Sequence, residues 1–86
     1  MQEQKNFLSC GFGSFVSLAR LIAVVVPEAA PIRRLIQEAR ERGALVDATA
    51  GRKTRSVLIM DTDQVILSAL APESLLAEIA EETEAE

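Results

Sequence analysis

VLIMDTDQVILSAL, residues 57–70, decides the fold of this chain. Two apolar runs, Val57–Met60 and Val65–Leu70, flank the segment Asp61-Thr62-Asp63-Gln64. Aspartates bond their own backbone two residues on, which suits a turn, so the pattern predicts two strands joined as a hairpin. Neither run alternates polar and apolar residues, as strands covered on both faces do. Upstream, PIRRLIQEARERG (31–43) predicts a helix that starts near Pro31, whose fixed φ suits the first helical turn. Ile32, Leu35, Ile36 and Ala39 fall on one stripe, Arg34–Glu38 and Glu38–Arg42 are spaced for ion pairs, and Gly43 ends the element.

Further outward, Leu45–Thr49 predicts a strand and Phe7–Cys10 a short one, broken by a turn or bulge at Gly11 and Gly13. Phe15–Val26 reads as one extended stretch, stopped by Pro27. Pro72 opens a last helix with Leu75, Leu76, Ile79 and Ala80 as its apolar face, running into Glu81, Glu82, Glu84 and Glu86. The expected class is α+β: a small, mostly antiparallel sheet of four to five strands with two helices. Two short helices cannot cover both faces of such a sheet, and a chain of 86 residues buries a limited share of its surface. A second copy is therefore expected to cover the exposed face, giving a homo-oligomer; a monomer packed around one helix is the alternative.

Composition narrows the chemistry. Histidine is absent, which removes the commonest general base and metal ligand near neutral pH. Cys10 is the only cysteine, so no intrachain disulfide or paired-cysteine metal site exists; it reads as a small buried residue, and a lone thiol fits the reducing cytoplasm. Gly11-Phe12-Gly13-Ser14 lacks the later glycine of a dinucleotide loop and reads as a tight turn. Asp61 and Asp63 supply too few oxygens for a hard cation. Phe15–Val26 is twelve residues long and contains Arg20, whereas a membrane-spanning helix needs about 20 apolar residues. The expectation is a cytoplasmic protein that is not an enzyme, with no cofactor, no metal and no membrane partner.

The net charge of -4 conceals a division along the chain. Residues 33–55 hold Arg33, Arg34, Arg40, Arg42, Arg52, Lys53 and Arg55 against Glu38, Glu41 and Asp47, whereas residues 56–86 hold eight acids and no base. Within the basic block, Gly51-Arg52-Lys53-Thr54-Arg55-Ser56 places three cations in four positions beside a glycine and two hydroxyls. Guanidinium forks match phosphate oxygens, and hydroxyls and glycine-adjacent amides add contacts. That string reads either as a nucleic-acid backbone site or as a solvated hairpin that blunts an edge strand with charge. Arg20, alone in an apolar stretch, reads as a DNA contact or as an intersubunit ion pair with Glu28 or Asp47. Three cations give a salt slope of only about -3, so one subunit grips weakly and several are needed.

Gly11-Phe12-Gly13, Pro27-Glu28, Ala30-Pro31-Ile32 with Arg34, Asp47-Ala48-Thr49, Gly51-Arg52-Lys53-Thr54-Arg55 and Asp61 through Leu67-Ser68-Ala69 resemble the extracellular matrix regulatory protein RemA family. The resemblance covers roughly residues 7 to 75, and the string from Asp47 to Arg55 is its most specific part. It implies a RemA-like DNA-binding domain at 1–75, with 76–86 as the end of the last helix and an acidic tail. It further implies a bacterial, ring-forming transcription regulator of biofilm matrix genes, with Arg20, Arg52, Lys53 and Arg55 as DNA-binding residues. Lys53 stands where arginine is common, which keeps the charge but loses the bidentate fork; Ser14 and Ala50 replace a usual asparagine and tyrosine. The expected partners are double-stranded DNA and further copies of the chain. The rival expectation is a structural or protein-interaction oligomer whose basic loop binds acidic protein partners.

Overall fold

The computed structural model describes residues 7–84, with side chains through Ala80; the carboxylates of Glu81, Glu82, Glu84 and Glu86 and residues 1–6 lie outside that description. Six strands and two helices follow in the order β1 (Phe7–Gly11), β2 (Ser14–Ser17), β3 (Leu21–Val25), α1 (Ala30–Arg42), β4 (Leu45–Asp47), β5 (Ser56–Met60), β6 (Val65–Ser68) and α2 (Pro72–Glu84). The α+β class holds, with two helices, but the strands form two sheets rather than one. A four-stranded sheet has the order β3-β5-β6-β4, and β1-β2 is a separate hairpin.

The segment 57–70 forms the centre of the larger sheet. β5 and β6 pair antiparallel with Val57 opposite Leu67 and Leu58 opposite Ile66, and Asp63, at φ 70, closes the turn. β3 pairs antiparallel with β5, while β4 pairs parallel with β6. β3 and β4 therefore run in the same direction with α1 between them, a split β-α-β unit into which the β5–β6 hairpin is inserted. Two of its three pairings are antiparallel, as expected of a mostly antiparallel sheet, and the parallel β4–β6 pairing makes it mixed.

Phe15–Val26 is not one extended stretch. A single 3-10 turn at Leu18–Arg20 ends the hairpin layer and redirects the chain into β3. Leu, Ala and Arg lack the branching that favours a strand, so this is where the run yields. The redirection creates a layer absent from the sequence reading. One face of the four-stranded sheet packs Val57, Val65 and Leu67 against Ala39, Ile32, Leu35 and Ile36 of α1. The other packs Leu58, Met60 and Ile66 against Leu8, Cys10 and Val16 of the hairpin and Leu75 of α2. The chain thus covers both faces of its own sheet, and the continuous apolar runs do not by themselves require a second copy.

Local signals behave as their physics demands. Gly43, at φ 74, caps α1, with its N–H bonding Arg40 and the N–H of Ala44 reaching Ala39 at 2.8 Å. The expected pairs Arg34–Glu38 and Glu38–Arg42 do not close; instead Arg42 donates to the carbonyl of Asp63 and Arg33 to that of Glu28. On exposed helix faces such pairs are worth about 0.3–0.5 kcal/mol, too little to hold long side chains in one geometry. In α2 only Leu75 and Ile79 of the expected apolar face turn inward, and Leu76 is 55% exposed. Among the described residues no helix is long and apolar enough to cross a membrane.

Candidate functional site

Arg52, Lys53 and Arg55 sit on the connection from β4 to β5. β4 and β5 are not neighbours, so this connection is no hairpin on a sheet edge: it crosses the end of β6, and the N–H of Arg55 bonds the Ser68 carbonyl at 2.8 Å. Both ends of the crossing are fastened. At its start, Asp47 Oδ1 accepts from the Thr49 hydroxyl at 2.6 Å and from the Thr49 N–H at 3.0 Å. Thr49 is 3% exposed, which makes this Asx-type turn the anchor of the loop. The chain then turns at Ala50 and Gly51, with φ of 55 and 81, and the N–H of Arg52 bonds the Thr49 carbonyl at 3.0 Å. A non-glycine residue in the left-handed region costs about 1–2 kcal/mol, so Ala50 marks a turn held by its surroundings.

Below the loop lies a buried polar tether. Ser68 Oγ donates to the Cys10 carbonyl at 2.8 Å and accepts from the Leu70 N–H at 3.1 Å, while Ser56 Oγ donates to the Leu70 carbonyl at 2.7 Å. Ser56 and Ser68 are both fully buried and lie opposite each other in the sheet. The tether ties the β1–β2 hairpin to the end of β6 that the basic loop crosses. It brings the hairpin tip beside that loop, where Cζ of Arg52 lies 4.7 Å from the centre of the Phe12 ring.

The three loop cations are exposed, and none forms an ion pair among the described residues. Glu28 and Glu73 line a shallow groove of about 280 Å³ with Lys53, Thr54 and Arg55, yet stop short of pairing with them. Arg20 is placed elsewhere. It closes the 3-10 turn, at the far end of β5 beside Leu21 and Met60, and its Nη1 lies 3.4 Å from Asp61 Oδ2. Within the single chain neither Glu28 nor Asp47 pairs with it. Both Arg20 and Asp61 are largely exposed (62% and 42% for the side chains), so the pair is worth at most about 1 kcal/mol and yields readily. From Arg55 to Asp61 the strand rise sets a separation of roughly 20 Å. Within one chain, then, Arg52, Lys53 and Arg55 form a group and Arg20 does not join it.

Sequence reasoning passed over Phe12, treated there only as part of a turn, and over Ser68, a polar residue inside an apolar run. Three consecutive positive φ values, 103 at Gly11, 52 at Phe12 and 82 at Gly13, project the Phe12 ring outward. The glycines flanking Phe12 are the signal that could have shown it. Cys10 is buried, and desolvation pushes its thiol pKa up, so it is an unreactive packing residue. Among the described residues no group of three potential metal ligands occurs.

Asp47 supplies a pH test of the anchor. Hydrogen bonds from the Thr49 hydroxyl and N–H, with a smaller contribution from Arg40, hold its carboxylate below the usual aspartate range. A lowered folded-state pKa adds stability above the unfolded value, and that stability is lost as pH falls through the folded one. Urea denaturation should show Asp47→Ala less stable than the parent at pH 7, with the difference shrinking as pH drops toward 3. A difference that stays constant over this range would show that the carboxylate charge plays no part.

A family model described as RemA-like, extracellular matrix regulatory protein A-like, matches residues 7–79. A Clostridium botulinum protein named "Putative regulatory protein" is 56% identical over 81 residues, covering 94% of this chain and 89% of its own length. Proteins of the same name from Caldicellulosiruptor saccharolyticus and Halothermothrix orenii are 57% and 61% identical, covering 92% and 81% of this chain and 78% and 83% of their own lengths. The matched span runs from the first residue of β1 into α2 and includes the crossing loop, its Asp47–Thr49 anchor and the hairpin tip, and on that ground the chain belongs to the RemA-like family.

Proposed function

We propose that this protein is a DNA-binding transcription regulator that works as a homo-oligomer, ring-like in form, and contacts duplex phosphates through repeated copies of Arg52, Lys53 and Arg55, with Arg20 as a separate contact. The observation that carries the reading is the crossing loop itself: three exposed cations in four positions, without an ion pair among the described residues, on a backbone pinned at Thr49 and Ser68. Phosphate contacts position a protein on DNA without reading bases, so sequence preference would come from site spacing and duplex deformability. The family name and the names of the relatives support a regulatory role.

The case for several copies rests on exposed apolar side chains. Phe7 and Phe15 stand 58% and 63% exposed on the outer side of the hairpin, and Ile22 and Leu76 stand 65% and 55% exposed near β3 and α2. Two distinct patches suit a head-to-tail contact, which closes into a ring when the rotation allows. The separation of Arg20 from the loop adds a geometric condition. One DNA backbone can touch both in the same subunit only if it runs roughly parallel to β5, from the crossing loop to the Arg20 turn, outside the layers that bury that strand.

Titrating duplexes of increasing length from 50 to 500 mM salt, with mass measurement alongside, tests the reading. A sharp length threshold and a salt slope of at least about -6 are expected, since each neutralised phosphate contributes about -0.9. Binding by a monomer, or binding indifferent to salt, would refute it. The second reading, in which the loop holds an acidic protein partner, draws on Glu28 and Glu73 beside Lys53 and Arg55. Removing residues 81–86 separates the two: weaker assembly favours the acidic-partner reading, whereas intact assembly with tighter DNA binding favours the first. Among the described residues no acid, base and nucleophile come together as a site for turnover, which supports reading the protein as a binding protein rather than an enzyme.

A further inference from the structure

Phe12 occupies a position that its own chemistry does not favour. Gly11 pairs with Ser14 across a two-residue loop, so Phe12 and Gly13, both at positive φ, form the kind of hairpin turn that asparagine and glycine fill most easily. A bulky aromatic is among the least suited residues for that backbone. Burial does not compensate, because the ring is 52% exposed. What the ring does touch is Arg52, whose guanidinium carbon lies over its face at 4.7 Å.

Arg52 leaves a second strained turn, with Ala50 and Gly51 at positive φ. Both turns are fixed to the same end of β6. Ser68 bonds the Cys10 carbonyl one residue before the hairpin turn, and Gly11 packs so closely on Leu70, just past β6, that a Cβ there would stand 3.3 Å from its side chain. On the loop side the N–H of Arg55 bonds the Ser68 carbonyl. Ring and guanidinium are thus presented to each other by two separately anchored turns. Contact through the ring face leaves the N–H groups of the guanidinium available, and among the described residues no side-chain N–H of Arg52 is bonded.

We infer that Phe12 is the positioning residue for Arg52: its ring holds the guanidinium in place before phosphate arrives, leaving the N–H fork directed to the ligand. This rests on the reading of the loop as a phosphate-binding site. An unrestrained arginine loses much rotamer freedom when it binds, and prior contact with the ring removes part of that loss. The strained turn is then the local cost of placing an aromatic face where the crossing loop passes.

The test uses the full chain as Phe12→Asn, Phe12→Tyr, Arg52→Ala and the double variant Phe12→Asn/Arg52→Ala, titrated with one duplex across a salt series. Asparagine suits the turn, so Phe12→Asn should melt no lower than the parent while binding DNA about 2–5-fold more weakly for each engaged copy. Its salt slope should stay at the parent value, because the phosphate contact persists, whereas Arg52→Ala should flatten the slope by about 0.9 for each engaged copy. Phe12→Tyr should bind like the parent, and the double variant like Arg52→Ala alone. In the free protein, ring-current shifts on the Arg52 side-chain protons should vanish in Phe12→Asn and persist in Phe12→Tyr. If Phe12→Asn binds like the parent, or if its loss adds in full to that of Arg52→Ala, the positioning role is wrong while the loop reading stands. If Arg52→Ala leaves affinity and slope unchanged, both fall, even where the ring-current shift confirms the contact.

Discussion

Arg52→Ala combined with Arg55→Ala is expected to reduce duplex affinity by more than a thousandfold at 100 mM salt when two subunits engage the DNA. The size of the effect follows from repetition. Two subunits offer the loop cations and Arg20 twice over, and removing four guanidinium groups lowers the salt slope by about 3.6. That slope change corresponds to roughly four decades between 1 M and 0.1 M salt if the non-electrostatic part of binding is unchanged. The side chains are exposed and form no ion pair among the described residues, so the fold should tolerate their loss and the melting temperature should move little. Arg20→Ala is a smaller and separable change. Its Asp61 pair is solvent-accessible, and it lies at the other end of β5, so its effect should add to that of the loop variant. Binding that survives the double replacement, with its salt slope intact, would remove the loop from the interface.

The second large effect concerns Ser68. Its hydroxyl satisfies two backbone groups, the Cys10 carbonyl and the Leu70 N–H, in a fully buried position. Ser68→Ala leaves both without that partner, and each unsatisfied buried group costs about 1–3 kcal/mol. A loss of about 2–4 kcal/mol in urea denaturation is expected, a large fraction of what so small a domain possesses. The same variant releases the hairpin tip from β6, so Phe12 and Arg52 should lose their register. DNA affinity should then fall at temperatures where the variant is still folded. A stability loss below about 0.5 kcal/mol would mean that water takes over both bonds, and the tether would not be what holds the tip in place.

How much of the molecule was legible in its sequence depends on how local the deciding forces are. The helix at 31–43 was readable because a stripe of Ile32, Leu35, Ile36 and Ala39, a proline at the start and Gly43 at φ 74 all act within a few residues. The hairpin of β5 and β6 was readable for the same reason, the two apolar runs and the aspartate turn being neighbours in the chain. The break at Leu18–Arg20 was not, because a hydrophobic run carries no mark of the place where it passes from one layer to another. Without that break the chain seemed to have one sheet and too few helices to cover it. With it, the hairpin covers the face left open, and the apolar surface that a second copy could cover consists of exposed side chains such as Phe15 and Ile22 rather than bare strands.

The candidate site divides along the same line. Charge and spacing are properties of the string Gly51-Arg52-Lys53-Thr54-Arg55, and the string alone named the cations, because proximity in sequence guarantees proximity in space over five residues. Whether Arg20 joins them, which carboxylate it meets and which aromatic ring lies under Arg52 were settled by strand order and register. Those choices depend on pairings between residues forty or more positions apart, such as Arg20 with Asp61 and Phe12 with Arg52, for which the linear chain carries no distance information. Composition and short-range periodicity determined what this protein is made of and which of its segments carry charge; the packing of two sheets and two helices decided which of those charges can act together.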